Sequence, residues 1–153
     1  MKVEIKNLQT EKINLEAARK IVEFILTNEK TPDGTSLSVS FVDNKTIREY
    51  NEKYMNRDNV TDVLSFSMKE GEVIEGDNSY LGDVLVSVEM AFLRAEEFAN
   101  EVDRELMLYF IHGILHLLGY EDIDTGSALV MREKEEQICI ELWDKQRWRL
   151  LIR

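Results

Sequence analysis

The chain has 153 residues, 44% of them hydrophobic, which is enough for one compact core and too few for two comfortable domains. Its formal net charge of −11, from 30 acidic and 19 basic residues, argues against indiscriminate nucleic-acid binding, because phosphate contacts need clustered Lys or Arg. The opening MKVEIKNLQT lacks the apolar stretch of a signal peptide and no apolar run approaches a membrane span, so a cytoplasmic protein with no membrane partner is expected. The single cysteine, Cys139, cannot form an internal disulfide; it falls in a helical pattern and reads as a small buried hydrophobe.

Residues 2–7 alternate, with Val3 and Ile5 on one side, and predict a first strand. NLEAARKIVEFIL then places Leu15, Ala18, Val22 and Ile25 at helical spacing behind Asn14 as N-cap. KTPDGTS is turn chemistry, and LSVSFVD is a half-buried strand with Leu37, Val39 and Phe41 on one face. Asn44 is positioned to cap the next helix, which is read with Ile47, Tyr50 and Tyr54 turned inward. VLSFSM and DVLVSV are a third and a fourth strand, separated by KEGEVIEGDNSY, which is polar, punctuated by glycine and expected to be a mobile loop. MAFLRAEEFAN is a helix. DRELMLYFIHGILHLL is another, so apolar that it should run through the core, with Gly119 as the residue that ends it. Asp124 or Thr125 starts a last long helix in which Ala128, Met131, Glu135, Ile138 and Leu142 follow a three-four rhythm. The expected fold is one α+β domain over residues 1–153, a sheet of about four strands packed with helices and a metal site on the core helix.

The stretch HGILHLLGYED carries the chemistry. His112 and His116 are the only histidines in the chain, and at i and i+4 on a helix their imidazoles project from one face and can converge on one point. Two nitrogens at that spacing are half of a zinc site of the HExxH kind. A third ligand can come from the chain returning after Gly119: Asp122 arrives six residues after His116, with Glu121 and Asp124 as close competitors. Gly113 stands where an HExxH protein would place its glutamate base, and costs the helix about 1 kcal/mol relative to alanine. A backbone or a substrate passing close by would account for it.

These residues resemble the signature of the YbeY endoribonuclease family, H-G-x-L-H-L-x-G-Y-D-H. Two further blocks, NEKYMNRDNVTDVLSFS (51–67) and LGDVLVSVEMA (81–91), occur in the family order at family-like distances, so the resemblance covers roughly residues 37–125. It implies a single-domain, metal-dependent RNase acting on single-stranded RNA in ribosomal RNA maturation, notably at the 3′ end of 16S rRNA, and in ribosome quality control, with RNA and the ribosome as partners. It also implies one Zn²⁺ per chain held by His112, His116 and, where the family has a third histidine, Asp122; other divalent ions are compatible with a carboxylate ligand. The family arginine after the tyrosine of the second block is replaced by Met55, which makes Arg57, two residues on, the candidate for the same phosphate and for a catalytic role. Thr61, Asp62, Ser65, Gly82 and Asp83 match family positions and read as holders of turns and strand ends.

The expected reaction is metal-assisted phosphodiester hydrolysis, with either an activated water or the RNA's own 2′-OH as nucleophile. Lys45, Arg48, Lys53 and Arg57, if their segment borders the metal, form the nearest basic edge and are the candidate substrate contacts; by charge pattern alone this cluster, like a second one near the C-terminus, reads as a solvated face. Two rival readings are a metal-dependent peptidase, against which the missing HExxH glutamate counts, and a non-catalytic ribosome-associated protein with a structural metal.

Overall fold

The computed structural model describes residues 2–68 and 80–152. Residues 69–79, nearly all of the segment expected to be a mobile loop, lie outside the described residues; its last residue, Tyr80, opens a strand. In chain order the elements are β1 (Lys2–Asn7), α1 (Leu15–Asn28), β2 (Ser36–Val42), α2 (Asn44–Met55), β3 (Val63–Ser67), β4 (Tyr80–Ser87), α3 (Val88–Phe98), α4 (Val102–Leu117) and α5 (Thr125–Cys139), followed by a π-helical turn (Ile140–Lys145). The four strands form one mixed sheet in the order β1-β2-β4-β3, with β1, β2 and β4 parallel and β3 antiparallel on the β4 edge. The result is the single α+β domain with a four-stranded sheet that the pattern predicts.

The period-two alternation of the strands decides which side chains meet which layer. Leu37, Val39 and Phe41 of β2 and Val84 and Val86 of β4 enter the main core with α1, α3 and α4. There the Phe41 ring stacks on Phe110 with centroids 5.6 Å apart. The opposite face of the sheet is covered only in part. Val42, Leu64 and Leu85 pack there under Ile47 of α2, with Val60 and Phe66 beside them. Neighbouring positions on that face are polar: Ser38, Ser40 and Asp83.

Three local expectations are corrected. Asp43, not Asn44, caps α2, its carboxylate accepting from the Thr46 amide at 2.8 Å; Asn44 is already helical and accepts instead from the Ser87 hydroxyl at 2.6 Å. Tyr50 and Tyr54 do not turn inward: they are 40% and 55% exposed, because the sheet positions beside them, Ser38, Ser40 and Asp83, are polar and offer no apolar core, and Asn51 is buried instead. Leu15 is exposed at the mouth of α1, while Ala18, Val22 and Ile25 are buried as expected. Cys139 is buried and Asp124 caps α5 with Thr125 as its first residue, also as expected.

The last described residues fasten the two ends of the core. Buried Asp103 at the start of α4 accepts from the Leu150 amide at 3.0 Å and the Leu151 amide at 3.4 Å. Asn14 donates its amide to Leu150 and Ile152 donates to Lys12, so this strap also holds the entry to α1.

Candidate metal centre

Helix α4 is apolar on almost every side, with Leu106, Phe110, Ile111, Ile114, Leu115 and Leu117 fully buried, so the core fixes its rotation and its depth. His112 and His116 lie on a stripe of α4 that reaches a cleft, each with 28% of its side chain exposed. Gly113 stands between them because α4 rests directly on β3 and β4: a Cβ there would lie 2.5 Å from Val84 Cγ1 and 2.8 Å from Val63 Cγ2. Valine side chains of the sheet, rather than a passing backbone or substrate, therefore account for this glycine. The Ser65 hydroxyl donates to the Gly113 carbonyl at 2.9 Å and pins the helix to the edge strand.

The helix ends in a Schellman turn. Gly119, at φ +103°, gives its amide to the His116 carbonyl, and the Tyr120 amide reaches the Leu115 carbonyl, both at 3.1 Å. The chain then doubles back and carries Asp122 over the histidine pair. The two Nε2 atoms are 3.0 Å apart, and Asp122 Oδ2 is 3.7 Å from that of His112 and 3.8 Å from that of His116. A tetrahedral zinc ion with bonds of about 2.0–2.1 Å needs ligand atoms roughly 3.3 Å apart, which these separations bracket.

The outer nitrogens decide which atoms face inward. His116 Nδ1 lies 3.0 Å from the Tyr120 carbonyl, an acceptor only, so Nδ1 carries the proton and Nε2 presents its lone pair. His112 Nδ1 is hydrogen-bonded to the Glu135 carboxylate of α5, which orients that ring in the same sense. Tyr120 is itself anchored: its hydroxyl donates to Glu29, which Lys134 also approaches at 3.4 Å, and burial followed by the Glu29 contact pushes its pKa up to about 12. Burial of the His112 ring opposes protonation, but the hydrogen bond and charge of Glu135, with Asp122 and Asp62 behind them, outweigh it and hold its pKa above the ordinary histidine value. Two lone pairs and a carboxylate thus converge in a field that favours a cation. His112, His116 and Asp122 could hold a metal ion; three protein donors are the number usual for a catalytic zinc, where a structural one usually takes four. Asp124 is spent on capping α5, accepting from the Ser127 amide at 2.7 Å, and Glu121 borders the cleft without joining the three.

Glu135 is the functional residue that sequence reasoning passed over. Its signal was a carboxylate at an inward position of the α5 rhythm, between Met131 and Ile138.

The histidines and Asp122 sit in a cleft of about 660 Å³ whose far wall is the end of α2 and the loop after it, including Met55 and Arg57. Buried Asn51 shapes that wall by donating to the Asn59 carbonyl and side chain, both at 3.0 Å. Lys45, Arg48 and Lys53 do not line the cleft. Arg48 is paired with Asp58 at 2.7 Å, which raises its pKa, and the Lys53 ammonium lies 5.1 Å from the Tyr54 ring centre. Asp62 accepts from the Val63 amide at 2.8 Å and Thr61 hydrogen-bonds to it, so both shape the start of β3. Gly82, at φ +140°, lies where a Cβ would strike the Phe66 carbonyl oxygen at 2.0 Å. Asp83 faces the opposite side of the sheet.

Fold and site together define a single-domain α+β protein whose central helix and returning loop present a His/His/Asp group that could hold a metal ion. A profile of the family described as Endoribonuclease YbeY matches residues 2–142. The Endoribonuclease YbeY of Exiguobacterium sibiricum is 38% identical over 138 residues, covering 83% of this chain and 87% of its own. That of a Thermoanaerobacter species is 39% identical over 141 residues, covering 85% and 89%. The solution structure of TM1509 from Thermotoga maritima superposes with a TM-score of 0.66 at 27% identity, over 95% of this chain and 91% of that one. The chain belongs to the endoribonuclease YbeY family. Membership supports an endoribonuclease role, with RNA as the substrate class.

Proposed function

We propose that this protein is a zinc-dependent endoribonuclease that cuts single-stranded RNA, with ribosomal RNA and the 3′ end of 16S rRNA as its target in the cytoplasm. The observation that carries the reading is the convergence of two histidine lone pairs and a carboxylate at one wall of an open cleft. His112, His116 and Asp122 would hold the ion, which supplies Lewis-acid stabilisation of a phosphoryl oxygen and activation of a water. Glu135 and the Tyr120 carbonyl keep both rings in the tautomer that binds. Arg57 lines the same cleft and would take a phosphate of the strand. The ribosomal target rests on the family resemblance.

Asp122 in place of a third histidine is a harder donor and widens the range of ions the site accepts. The test is metal content together with cleavage of single-stranded RNA for the wild type, His112→Ala and His116→Ala. Stoichiometric metal and RNA cleavage should be lost together in both variants. Metal retained in both would remove the site, and metal-loaded protein that cuts peptides but never RNA would remove the substrate.

A further inference from the structure

On the other side of β3 from the metal centre lies a second cavity, of about 430 Å³, within the usual range for small-ligand sites. Its apolar wall is an aromatic trio. The Tyr50 and Tyr54 rings stack with centroids 5.7 Å apart, and Phe66 meets Tyr54 edge-on at 5.6 Å. Its floor is the polar part of the sheet face, Ser38, Ser40 and Asp83. Asp83 accepts the Ser38 and Tyr80 hydroxyls on one carboxylate oxygen, and no hydrogen bond reaches the other from the described residues. Burial, then the bond to Asp83, raises the Tyr80 pKa, so that hydroxyl stays a donor.

Half-exposed rings over a polar floor suit a flat heteroaromatic ring that stacks by its face and hydrogen-bonds by its edge. Continuity with the metal cleft identifies where such a ring would come from. On β3, Ser65 borders the metal cleft while Phe66 turns into the aromatic cavity. On α2, Asn51 and Met55 border the metal cleft while Tyr50 and Tyr54 border the cavity. The edge of β3 and the end of α2 thus contribute residues to both, so a single strand laid across them would border both. Stacking needs no positive charge, which matters in a chain of net charge −11 with methionine at position 55.

We propose that this cavity is a base-stacking subsite, in which Tyr50, Tyr54 and Phe66 receive a nucleobase of the RNA strand whose backbone lies in the metal cleft. The proposal rests on the endoribonuclease reading and assigns that site a means of gripping RNA other than phosphate contacts.

The experiment is equilibrium binding, in chelator so that nothing is cut, of short single-stranded oligoribonucleotides in which one base at a time is replaced by an abasic site. For the wild type, one position should weaken binding at least about fivefold, the lower end of base–aromatic stacking. Tyr54→Ala and Tyr50→Ala should bind the intact strand correspondingly less well, be indifferent to that position and keep the wild-type salt slope. A 2-aminopurine placed at that position should be quenched by the wild type and not by Tyr54→Ala. An abasic scan flat at every position, or tyrosine variants as sensitive to the abasic site as the wild type, overturns the subsite while RNA cleavage by metal-loaded protein would leave the endoribonuclease reading standing. Absence of both binding and cleavage overturns the two together.

Discussion

Along α4 side chains are buried on every face but the stripe of Glu105, Leu108, His112 and His116, whereas along α2 only Ile47 and Asn51 are buried and two tyrosines face outward. Both helices border the candidate site. The first carries the atoms that must agree to within fractions of an ångström, and its placement is fixed by the core, by Ser65 and by Glu135. The second carries Tyr50 and Tyr54 and leads into Arg57, on a surface the core leaves free. The difference teaches a division of labour. The candidate ligands sit where packing leaves no choice, and the side chains proposed to grip RNA sit where packing makes few demands.

That contrast can be broken at Glu135. If α5 holds the His112 ring for metal binding, Glu135→Ala should weaken metal affinity about 10- to 100-fold, with Glu135→Gln intermediate, as read by competition with a chromophoric chelator. Unchanged affinity in Glu135→Ala would mean the ring needs no such partner. Next in size is Gly113→Ala, where the added methyl meets Val84 and Val63. Overpacking should destabilise the protein by about 1–3 kcal/mol in urea unfolding, despite alanine's better helix propensity. A stabilised variant would show that α4 has room to move on the sheet.

For α2 the expected effects are smaller. Asp43→Ala removes the N-cap and should cost about 1 kcal/mol at neutral pH. The Thr46 hydrogen bonds lower the Asp43 pKa, so the cap's contribution is present above the ordinary aspartate value and is lost as pH falls through the lowered one. The gap between wild type and variant should therefore close on acidification, and a gap that widens contradicts the assignment. Smallest of all, Tyr54→Ala should change stability by no more than about 0.5 kcal/mol, as an exposed position does. A loss of about 2 kcal/mol or more would make Tyr54 a core residue and erase the contrast between the helices.

What could be read from the amino-acid order follows the range of the interactions. The histidine pair was legible because i and i+4 are neighbours on any helix, and Asp122 because Gly119 forces the chain to turn within a few residues. The strands and the core helix were legible from period and apolarity. Glu135 was not, since only the packing of α5 against α4 brings it to His112. Tyr50 and Tyr54 were misplaced for a related reason. Helical period shows that residues share a face, but whether that face is buried depends on the layer it meets, and here that layer is the polar Ser38, Ser40 and Asp83. Asn44 lost the cap to Asp43 because both are good caps and the end of β2 selects between them.

The strap of residues 150–152 sets the order of events in folding. Its partners, Lys12, Asn14 and Asp103, include residues from the opposite end of the described chain, so the clasp closes a very large loop that earns its contacts only once the sheet and α4 have assembled. Such contacts belong to the late, downhill side of the barrier. They act as a latch on escape rather than a guide to entry, so loosening them shortens the lifetime of the native state and leaves the speed of reaching it nearly unchanged.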